Sequence, residues 1–301
     1  MEEKFSVAII GAGPAGCACA IQLRRYGINC ILIEKNEVGG LLWNANLIEN
    51  YLGFPIGVRG SQLIQLMKDH LYYTKTPLIN AEVIKCNYSD NDFSISLKNS
   101  IIKSDYLVIA NGTIPKKPYI EITEPVKARM YYEVAEITEA ERTDKHFAII
   151  GSGDAAFDYA LNLSQYENKI DIYIRTSYLK CIPLLAERVK NIPAINIHFN
   201  HIMTKADIIN DDLLLTFESE AMMKQVQVNK LIFAIGRDPD FSILDESISF
   251  NQDKLIEEEK IYFVGDCVNG INRQSSIASG MGLNAAMNIY RKIKSKNESN
   301  K

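Results

Sequence analysis

Two short glycine-rich segments constrain the fold of this chain more than any other feature of its sequence. Each follows an apolar segment, at 5–10 and at 147–150, and each precedes a helix-like segment, to about Tyr26 and to about Gln165. The order of apolar strand, glycine-rich turn and helix is typical of a βαβ dinucleotide-binding unit. The sequence therefore predicts an α/β fold with two Rossmann-like, three-layer ββα nucleotide-binding domains and two bound nucleotides. The residues of the two turns are Gly11, Ala12, Gly13, Pro14, Ala15 and Gly16, and Gly151, Ser152, Gly153, Asp154, Ala155 and Ala156.

The first turn carries three glycines with separate tasks. Gly11 permits the sharp turn, Gly13 lets the backbone approach a pyrophosphate, and Gly16 lets the helix pack closely on the strand. The predicted second strand of this unit, 30–34, ends in Glu34. A carboxylate there accepts hydrogen bonds from ribose hydroxyls and repels a 2′-phosphate. The first unit is therefore predicted to bind FAD or NAD rather than NADP.

The second turn keeps Gly151 and Gly153 and has the small Ala156 in the third position. Its predicted second strand, 170–175, ends in Arg175, and Lys180 follows nearby. A guanidinium suits a 2′-phosphate, so this unit is predicted to prefer NADPH over NADH. The alternative is an ordinary exposed arginine at the end of a strand.

The charge and hydropathy of the chain restrict its partners and location. The 33 Lys and Arg residues against 37 Asp and Glu residues give a formal net charge of −4, which offers no attraction for nucleic acid or an anionic membrane. No apolar run approaches the ~18 residues that a membrane helix needs. The acidic residues 1–4 lead into a strand without the basic and apolar regions of a signal peptide. We expect a cytoplasmic protein without a membrane segment.

The segment after the second unit has no nucleotide-binding turn of its own, which predicts that it rejoins the first unit and that the second unit is inserted into the first. Pro115 and Pro118 suggest an extended linker after the first unit, and Gly236 follows an apolar strand near its return. The predicted FAD-binding domain is 1–114 and 243–301, and the predicted NAD(P)H-binding domain is 115–242. A final helix is expected at about 275–293, with a frayed polar tail at 294–301.

The order of the motifs GAGPAG, IEK, IENYLGFP, ANGT, IGSGDAA, AIGRDPD, VGDC and RQSSIASG resembles the low-molecular-weight thioredoxin reductases over nearly the whole chain. The resemblance implies FAD as cofactor, NADPH or NADH as co-substrate, and a homodimer. It places Ala12 to Ala15 at the pyrophosphate, and it places at the flavin a helix N-terminus whose dipole can stabilise charge on the reduced flavin. The other implied cofactor contacts are Glu34 and Lys35 at the adenosine, Val83 at the adenine, Gly40, Leu41 and Asn50 on the flavin side, Asp266 at a ribityl hydroxyl, Arg273, Gln274 and Ser275 at the flavin pyrimidine edge, and Gly112, Gly236 and Gly265 after strands.

The chain departs from that family in its cysteines. Thioredoxin reductases carry a Cys-x-x-Cys pair just before the second nucleotide unit, whereas residues 129–137 here contain no cysteine. Disulfide reduction by a dithiol needs one thiolate to attack and a second thiol to resolve the mixed disulfide. Cys267, beside Asp266, is interpreted as small apolar packing, so we predict no catalytic side chain. His198 and His201 lack an acidic or thiol companion at ligand spacing, so we predict no metal site either.

The retained motifs favour hydride transfer from NADPH to FAD, followed by electron transfer to an external acceptor. The segment Tyr131 to Val134 is similar to thioredoxin-reductase-like ferredoxin/flavodoxin NADP reductases, so a small redox protein, ferredoxin or flavodoxin, is the leading acceptor. One alternative is an NAD(P)H oxidase or a reductase of small molecules or disulfides. Another is a non-catalytic FAD-binding redox sensor or partner subunit.

Overall fold

The computed structural model describes residues 3–219 and 222–299. The chain packs into two compact units. The first comprises Met1–Trp43, Ile48–Ile114 and Asp238–Lys301, and the second comprises Asn44–Leu47 and Pro115–Arg237.

The chain returns to the first unit at residue 238, where the sequence predicted 243. Two hydrogen bonds explain the earlier return. The Asn111 side chain donates to the Asp240 carbonyl at 2.6 Å, and the Cys86 amide donates to the Ile243 carbonyl at 2.7 Å. The segment after 237 is therefore part of the first unit.

Strands and helices alternate in the two βαβ units, and a run of consecutive strands follows each of them. The strands are β1 (Glu3–Ile10), β2 (Cys30–Glu34), β3 (Leu78–Asn80), β4 (Val83–Ser89), β5 (Asp92–Leu97), β6 (Ile101–Ile109), β7 (Thr113–Pro115), β8 (Met130–Tyr131), β9 (His146–Ile150), β10 (Lys169–Tyr173), β11 (Ile195–His198), β12 (Ile202–Ile209), β13 (Asp212–Ser219), β14 (Met222–Val228), β15 (Lys230–Phe233), β16 (Arg237–Pro239) and β17 (Ile261–Phe263). The helices are α1 (Pro14–Arg25), α2 (Gly60–Tyr73), α3 (Glu124–Lys127), α4 (Asp154–Leu163), α5 (Pro183–Lys190), α6 (Glu246–Ser249), α7 (Gln252–Glu257) and α8 (Ser275–Ser299).

The sheet of the first unit has the strand order β3-β2-β1-β6-β5-β4, with β17 paired to β6. The pairs β1–β2, β1–β6 and β17–β6 are parallel, and β4–β5–β6 form an antiparallel meander. Strand β1 is apolar on both faces because it lies between two hydrophobic cores. Val7 and Ile9 face one core, and Ala8 and Ile10 face the other.

Helices α1 and α8 pack against each other at very short range in the first unit. A Cβ atom on Gly282 of α8 would lie 2.0 Å from the Ala15 carbonyl oxygen, so only glycine fits there. Ala278, Ala285 and Ile289 of α8 are buried in the same core. This contact places the N-terminus of α8 close to the first glycine turn.

The second unit has the parallel strand order β11-β10-β9-β15-β8, and a separate antiparallel sheet, β12-β13-β14. Alternate residues of β9 pack in two different hydrophobic cores. Phe147 and Ile149 pack with α4 and α5, and Ala148 packs with the antiparallel sheet. The helices, the parallel sheet and the antiparallel sheet form the expected three layers.

The ends of β10 and α8 differ from the predictions. Strand β10 ends at Tyr173, whose partner His198 is the last residue of β11, so Arg175 lies in a bend beyond the ladder. The predicted frayed tail is wrong up to residue 299, because α8 continues there, and Lys294 approaches Glu298 one turn on at 3.9 Å. Residues 300 and 301 of that tail lie outside the described residues. Within the described ranges, no helix has both the length and the apolar composition that a membrane crossing requires.

Candidate functional site

The first glycine turn, between β1 and α1, leaves open space at the N-terminus of a helix. A Cβ on Gly11 would lie 2.4 Å from the Ala110 carbonyl oxygen, and a Cβ on Gly16 would lie 1.8 Å from the Gly11 carbonyl oxygen. A Cβ on Gly13 would meet nothing within 4 Å. Gly13 caps α1 without a side-chain hydrogen bond, so the first amides of the helix remain available to an anion.

Two other predicted segments lie beside this turn. The Gly39 amide donates to the Ala12 carbonyl at 2.9 Å, and a Cβ on Gly40 would lie 3.4 Å from the Gly13 Cα. A Cβ on Gly265 would lie 2.9 Å from the Ala15 Cβ. The loop that continues into the half-buried Leu41 and the turn before Asp266 therefore both lie beside the first glycine turn.

Glu34, at the end of β2, reaches the turn directly. Its Oε2 accepts a hydrogen bond from the Ala12 amide at 2.7 Å, and its Oε1 accepts one from the Asn36 amide at 3.0 Å. Each carboxylate oxygen keeps a lone pair for a ribose hydroxyl. The Glu34 carbonyl accepts from the Ala81 amide at 2.8 Å, which brings the buried Val83 to the same end of the sheet.

The predicted flavin end is held together by a contact between distant parts of the first unit. The Asn50 side chain donates to the Gln274 Oε1 at 2.7 Å. Helix α8 begins at Ser275, and the Ala278 amide donates to the Gln274 carbonyl in its first turn. Arg273 is half-buried, and a Cβ on Gly112 would meet nothing within 4 Å. A glycine-lined cradle, a carboxylate for ribose and a long helix N-terminus together fit FAD.

The second glycine turn, between β9 and α4, repeats the cradle in the second unit. A Cβ on Gly151 would lie 2.4 Å from the Ala234 carbonyl oxygen, and a Cβ on Gly153 would meet nothing within 4 Å. The Ser152 carbonyl accepts from the Lys180 amide at 2.8 Å, and the Asp154 Oδ1 accepts from the Ile182 amide at 2.9 Å. Ala155 follows in the first turn of α4.

The charge at the end of the second strand is opposite in the two units. Arg175 and Lys180 are exposed, and within the described residues neither side chain forms a hydrogen bond or an ion pair.

Gly236, which follows β15, accepts a hydrogen bond from the Lys116 amide at 3.0 Å and so lies where the chain enters and leaves the unit.

The thiols of this chain are unsuited to exchange chemistry. None of the six cysteines has another cysteine three residues away, and all are free. Burial raises the pKa of Cys17 and Cys86 to about 12 and that of Cys30 and Cys267 to about 11, and it raises the pKa of Cys19 and Cys181 as well. Only the thiolate attacks a disulfide, so these raised pKa values disfavour attack.

The segment in which the related reductases carry their dithiol is packed into the second unit. Val134 and Ile137, three residues apart around a one-turn 3-10 helix, are 1% and 2% exposed in its core. Beside them, the Glu133 carboxylate accepts from Arg237 at 2.6 Å and from the Asn44 side chain at 3.0 Å. Hydrocarbon side chains occupy this place in the chain.

The sequence analysis missed a buried polar cluster in the second unit. Asp171, 4% exposed in the centre of β10, is within 2.5 Å of His146 Nε2 and 2.9 Å of His198 Nε2, and accepts from Asn196 at 3.0 Å. These hydrogen bonds hold the pKa of Asp171 well below its ordinary range despite burial, which opposes them. His198 also stacks on Tyr173, with ring centroids 4.7 Å apart. No local sequence pattern predicted this cluster, because its residues come from three different strands.

Metal binding receives no support from this cluster. Over residues 3–219 and 222–299, no group of three or more His, Cys, Asp or Glu side chains has an arrangement that could hold a metal ion. His198 and His201 instead belong to a set of packed rings with Tyr173 and Phe217.

Comparisons with known proteins agree with this geometry. The family described as "Pyridine nucleotide-disulphide oxidoreductase" matches residues 5–282. Thioredoxin reductase of Yarrowia lipolytica is 27% identical over 93% of this chain and 95% of its own length, and that of Coxiella burnetii is 25% identical over 98% of each.

Solved structures share the fold. Thioredoxin reductase of Lactococcus lactis superposes with a TM-score of 0.84 at 22% identity, covering 95% of this chain and 98% of its own. Bacillithiol disulfide reductase of Staphylococcus aureus superposes with a TM-score of 0.78 at 20% identity, covering 96% and 99%. The chain belongs to the pyridine nucleotide-disulphide oxidoreductase family, and within it is a thioredoxin reductase-like, FAD- and NAD(P)H-dependent oxidoreductase.

Proposed function

We propose that this enzyme passes electrons from NADPH to FAD, and from reduced FAD directly to an external acceptor, without a thiol relay in its own chain. The spacing and the burial of its cysteines are the observations that support this proposal. No two are spaced as a dithiol, five of the six are buried, and Val134 and Ile137 lie in the segment that carries the dithiol in related reductases. We further propose that the first unit binds FAD and the second binds NADPH.

When bound, FAD supplies a group that accepts hydride from the nicotinamide and later releases electrons. The protein positions both nucleotides. In the first unit the turn at Gly13 and the amides of α1 receive the pyrophosphate, and Glu34 holds the ribose. The Asn50–Gln274 hydrogen bond holds the start of α8, whose N-terminal dipole stabilises negative charge at the pyrimidine edge.

The missing thiols bear on which class of acceptor we propose. The relatives named above are thioredoxin reductases, and this supports a small redox protein as partner. A thioredoxin disulfide is reduced by dithiol exchange, which this chain is not equipped to perform. We therefore propose an acceptor that takes electrons directly, and the similarity of Tyr131 to Val134 makes ferredoxin or flavodoxin the first to test.

A low-molecular-weight disulfide is a second candidate acceptor. The observation that favours it is the fold shared with the bacillithiol disulfide reductase of Staphylococcus aureus along nearly the whole length of both chains. The predicted homodimer and the predicted cytoplasmic location remain predictions.

The absence of a thiol relay is tested by anaerobic titration of the FAD-loaded protein with dithionite and with NADPH, following flavin absorbance. We expect bleaching to be complete after a single two-electron equivalent per FAD, because no internal disulfide takes up a second. Uptake of a second equivalent would show an internal redox disulfide and contradict the proposal. Failure of NADPH to bleach the flavin would contradict the hydride step.

The acceptor is tested by mixing the NADPH-reduced protein with ferredoxin, flavodoxin, thioredoxin, a small disulfide or oxygen. Rapid flavin reoxidation by ferredoxin or flavodoxin supports the leading proposal, and reoxidation by the small disulfide alone supports the second. Fast turnover with thioredoxin would overturn direct transfer. Reoxidation by oxygen alone would identify an NADPH oxidase.

A further inference from the structure

The loop from Arg175 to Ile182 is held firmly over the second glycine turn. The amides of Lys180 and Cys181 donate to the Ser152 carbonyl at 2.8 and 2.9 Å, and the Ile182 amide donates to Asp154 at 2.9 Å. Inside the loop, the Thr176 hydroxyl donates to the Tyr178 carbonyl at 3.0 Å. We call residues 175–182 the adenosine loop, because they follow β10 beside the second glycine turn, where a bound dinucleotide has its adenosine.

Tyr178 lies in the middle of the adenosine loop with much of its side chain in solvent. It is 58% exposed, and within the described part of the chain its ring contacts no other aromatic ring. It lies between the exposed cations Arg175 and Lys180. A single exposed ring is ordinary, but this ring lies on a loop that is hydrogen-bonded to a glycine turn, and a preorganised loop lowers the entropic cost of binding.

The position of the loop matches the adenosine of a nucleotide bound at the Gly151 turn. In a βαβ unit the pyrophosphate lies at the helix N-terminus, and the residue after the second strand reads the 2′ position of the adenosine ribose. Here β10 ends at Tyr173, so Arg175 lies at the 2′ position. The adenine is attached to that same ribose, next to the residues that follow Arg175.

We propose that Tyr178 is the adenine-stacking residue of the NADPH site. The inference rests on the proposed placement of NADPH in the second unit. Stacking on an aromatic ring uses the π-face of the base and is insensitive to the 2′-phosphate. Arg175, in contrast, contributes through charge to the 2′-phosphate alone. The two residues therefore make separable contributions.

Calorimetric titration of the FAD-loaded protein with 2′,5′-ADP and with 5′-AMP separates them, since both contain adenine and only the first carries the 2′-phosphate. The variants are Tyr178→Ala, Tyr178→Phe and Arg175→Ala. The matched control is Tyr119→Ala, because Tyr119 is the same residue type, fully exposed in the same unit and outside the loop.

For Tyr178→Ala we expect both ligands to bind roughly tenfold more weakly, as is typical for loss of one base–aromatic stack. Tyr178→Phe should bind both as the parent does, because the ring is retained, and Tyr119→Ala should match the parent. Undiminished binding of 5′-AMP by Tyr178→Ala would overturn the inference. So would a Tyr178→Phe variant as weak as Tyr178→Ala, since the hydroxyl and not the ring would then be responsible.

The proposed NADPH preference is tested by a separate result of the same titrations. If the parent binds both ligands equally and Arg175→Ala changes neither, the 2′-phosphate assignment is wrong. A loss of 5′-AMP binding in Tyr178→Ala would still establish the stacking role in that case.

Discussion

The two glycine turns of this molecule use the same backbone device with different side chains around it. In each, a Cβ on the first glycine would lie 2.4 Å from a carbonyl oxygen of a neighbouring strand end, and the second glycine faces open space. The third position differs. Gly16 has no room for a Cβ, whereas Ala156 is accommodated in the second turn and fully buried.

The second strands of the two units differ further. Strand β2 is apolar until Glu34, whose carboxylate binds the turn itself. Strand β10 carries the charged Asp171 in its centre and is followed by Arg175. The comparison teaches that the two units share one backbone turn and differ in the charge beyond the second strand, and we propose that this charge selects between nucleotides.

The largest expected effect comes from adding one methyl group to the tighter turn. In Gly16→Ala the new Cβ would lie 1.8 Å from the Gly11 carbonyl oxygen, so the turn must shift. We expect a loss of about 3 kcal/mol or more in stability and purification of protein without FAD. Urea unfolding and the flavin-to-protein absorbance ratio measure both. The control Ala156→Gly should cost only about 1 kcal/mol, and a yellow, stable Gly16→Ala variant would show that the two turns are equally tolerant.

A smaller effect is expected from the charge inside β10. Asp171→Asn removes a carboxylate that is hydrogen-bonded to His146 and His198, and should destabilise the second unit by about 2 to 3 kcal/mol. Hydrogen exchange resolved by peptide should show the loss in β9 to β11 and spare β1 and β2. Asp207, half-buried at the surface and paired with Lys205, serves as control, and Asp207→Asn should change little.

The same carboxylate predicts a pH dependence. The pKa of Asp171 is lowered in the folded protein, so its contribution is complete above the ordinary carboxyl pKa of about 3.9. As the pH falls below that value, the unfolded chain takes up a proton that the folded chain does not, and stability declines. Thermal unfolding of the parent and Asp171→Asn across acidic pH should give curves that converge, and parallel curves would rule out this linkage.

Reversing the charge after β10 tests the selection between nucleotides. In Arg175→Glu the carboxylate repels a 2′-phosphate, and we expect the KM for NADPH to rise at least about tenfold. The KM for NADH should change much less. Lys190→Glu, an exposed charge reversal at the end of α5, is the control for net charge. Equal changes for both nucleotides would indicate that Arg175 acts through folding instead of through the phosphate.

The smallest effect is expected from neutralising the acid of the first unit. Glu34→Gln keeps the size of the side chain, and its carbonyl oxygen can still accept a hydrogen bond from the Ala12 amide. Its NH2 group, however, would face the Asn36 N–H, and since both are donors that hydrogen bond would be lost. We expect FAD affinity to fall by about 1 kcal/mol. Equilibrium dialysis against free FAD measures it. Glu37→Gln, at an exposed ion pair with Lys68, should retain parental affinity.

Much of the fold could be predicted from the sequence because its most specific patterns lie within short segments of the chain. The strand, turn and helix around Gly11 are neighbours in sequence, and strand β2 has the predicted bounds, 30–34. The end of β10 was misplaced because the strand is terminated by its partner: β11 ends at His198, more than twenty residues away, and nothing near Arg175 marks that limit.

The sites were only partly predictable. Residues that contact through adjacent backbone, such as Ala12 and Glu34, come together as the βαβ unit requires. The hydrogen bond from Asn50 to Gln274 could be expected only from the resemblance, and the packing of Asn44–Leu47 with the second unit had no sequence signal. The polar pairing around Asp171 was missed, although His198 itself was noted.

By itself, the sequence determined the two nucleotide turns, the opposite charges after their second strands and the absence of a Cys-x-x-Cys pair, because these depend on residue type at fixed local spacing. Only the tertiary structure decided that five of the six thiols are buried, that Asp171 is shared by two histidines, and that the adenosine loop is hydrogen-bonded to the second turn. These properties depend on which strands pair and which side chains meet across a core. That information resides in long-range packing, which no local pattern encodes.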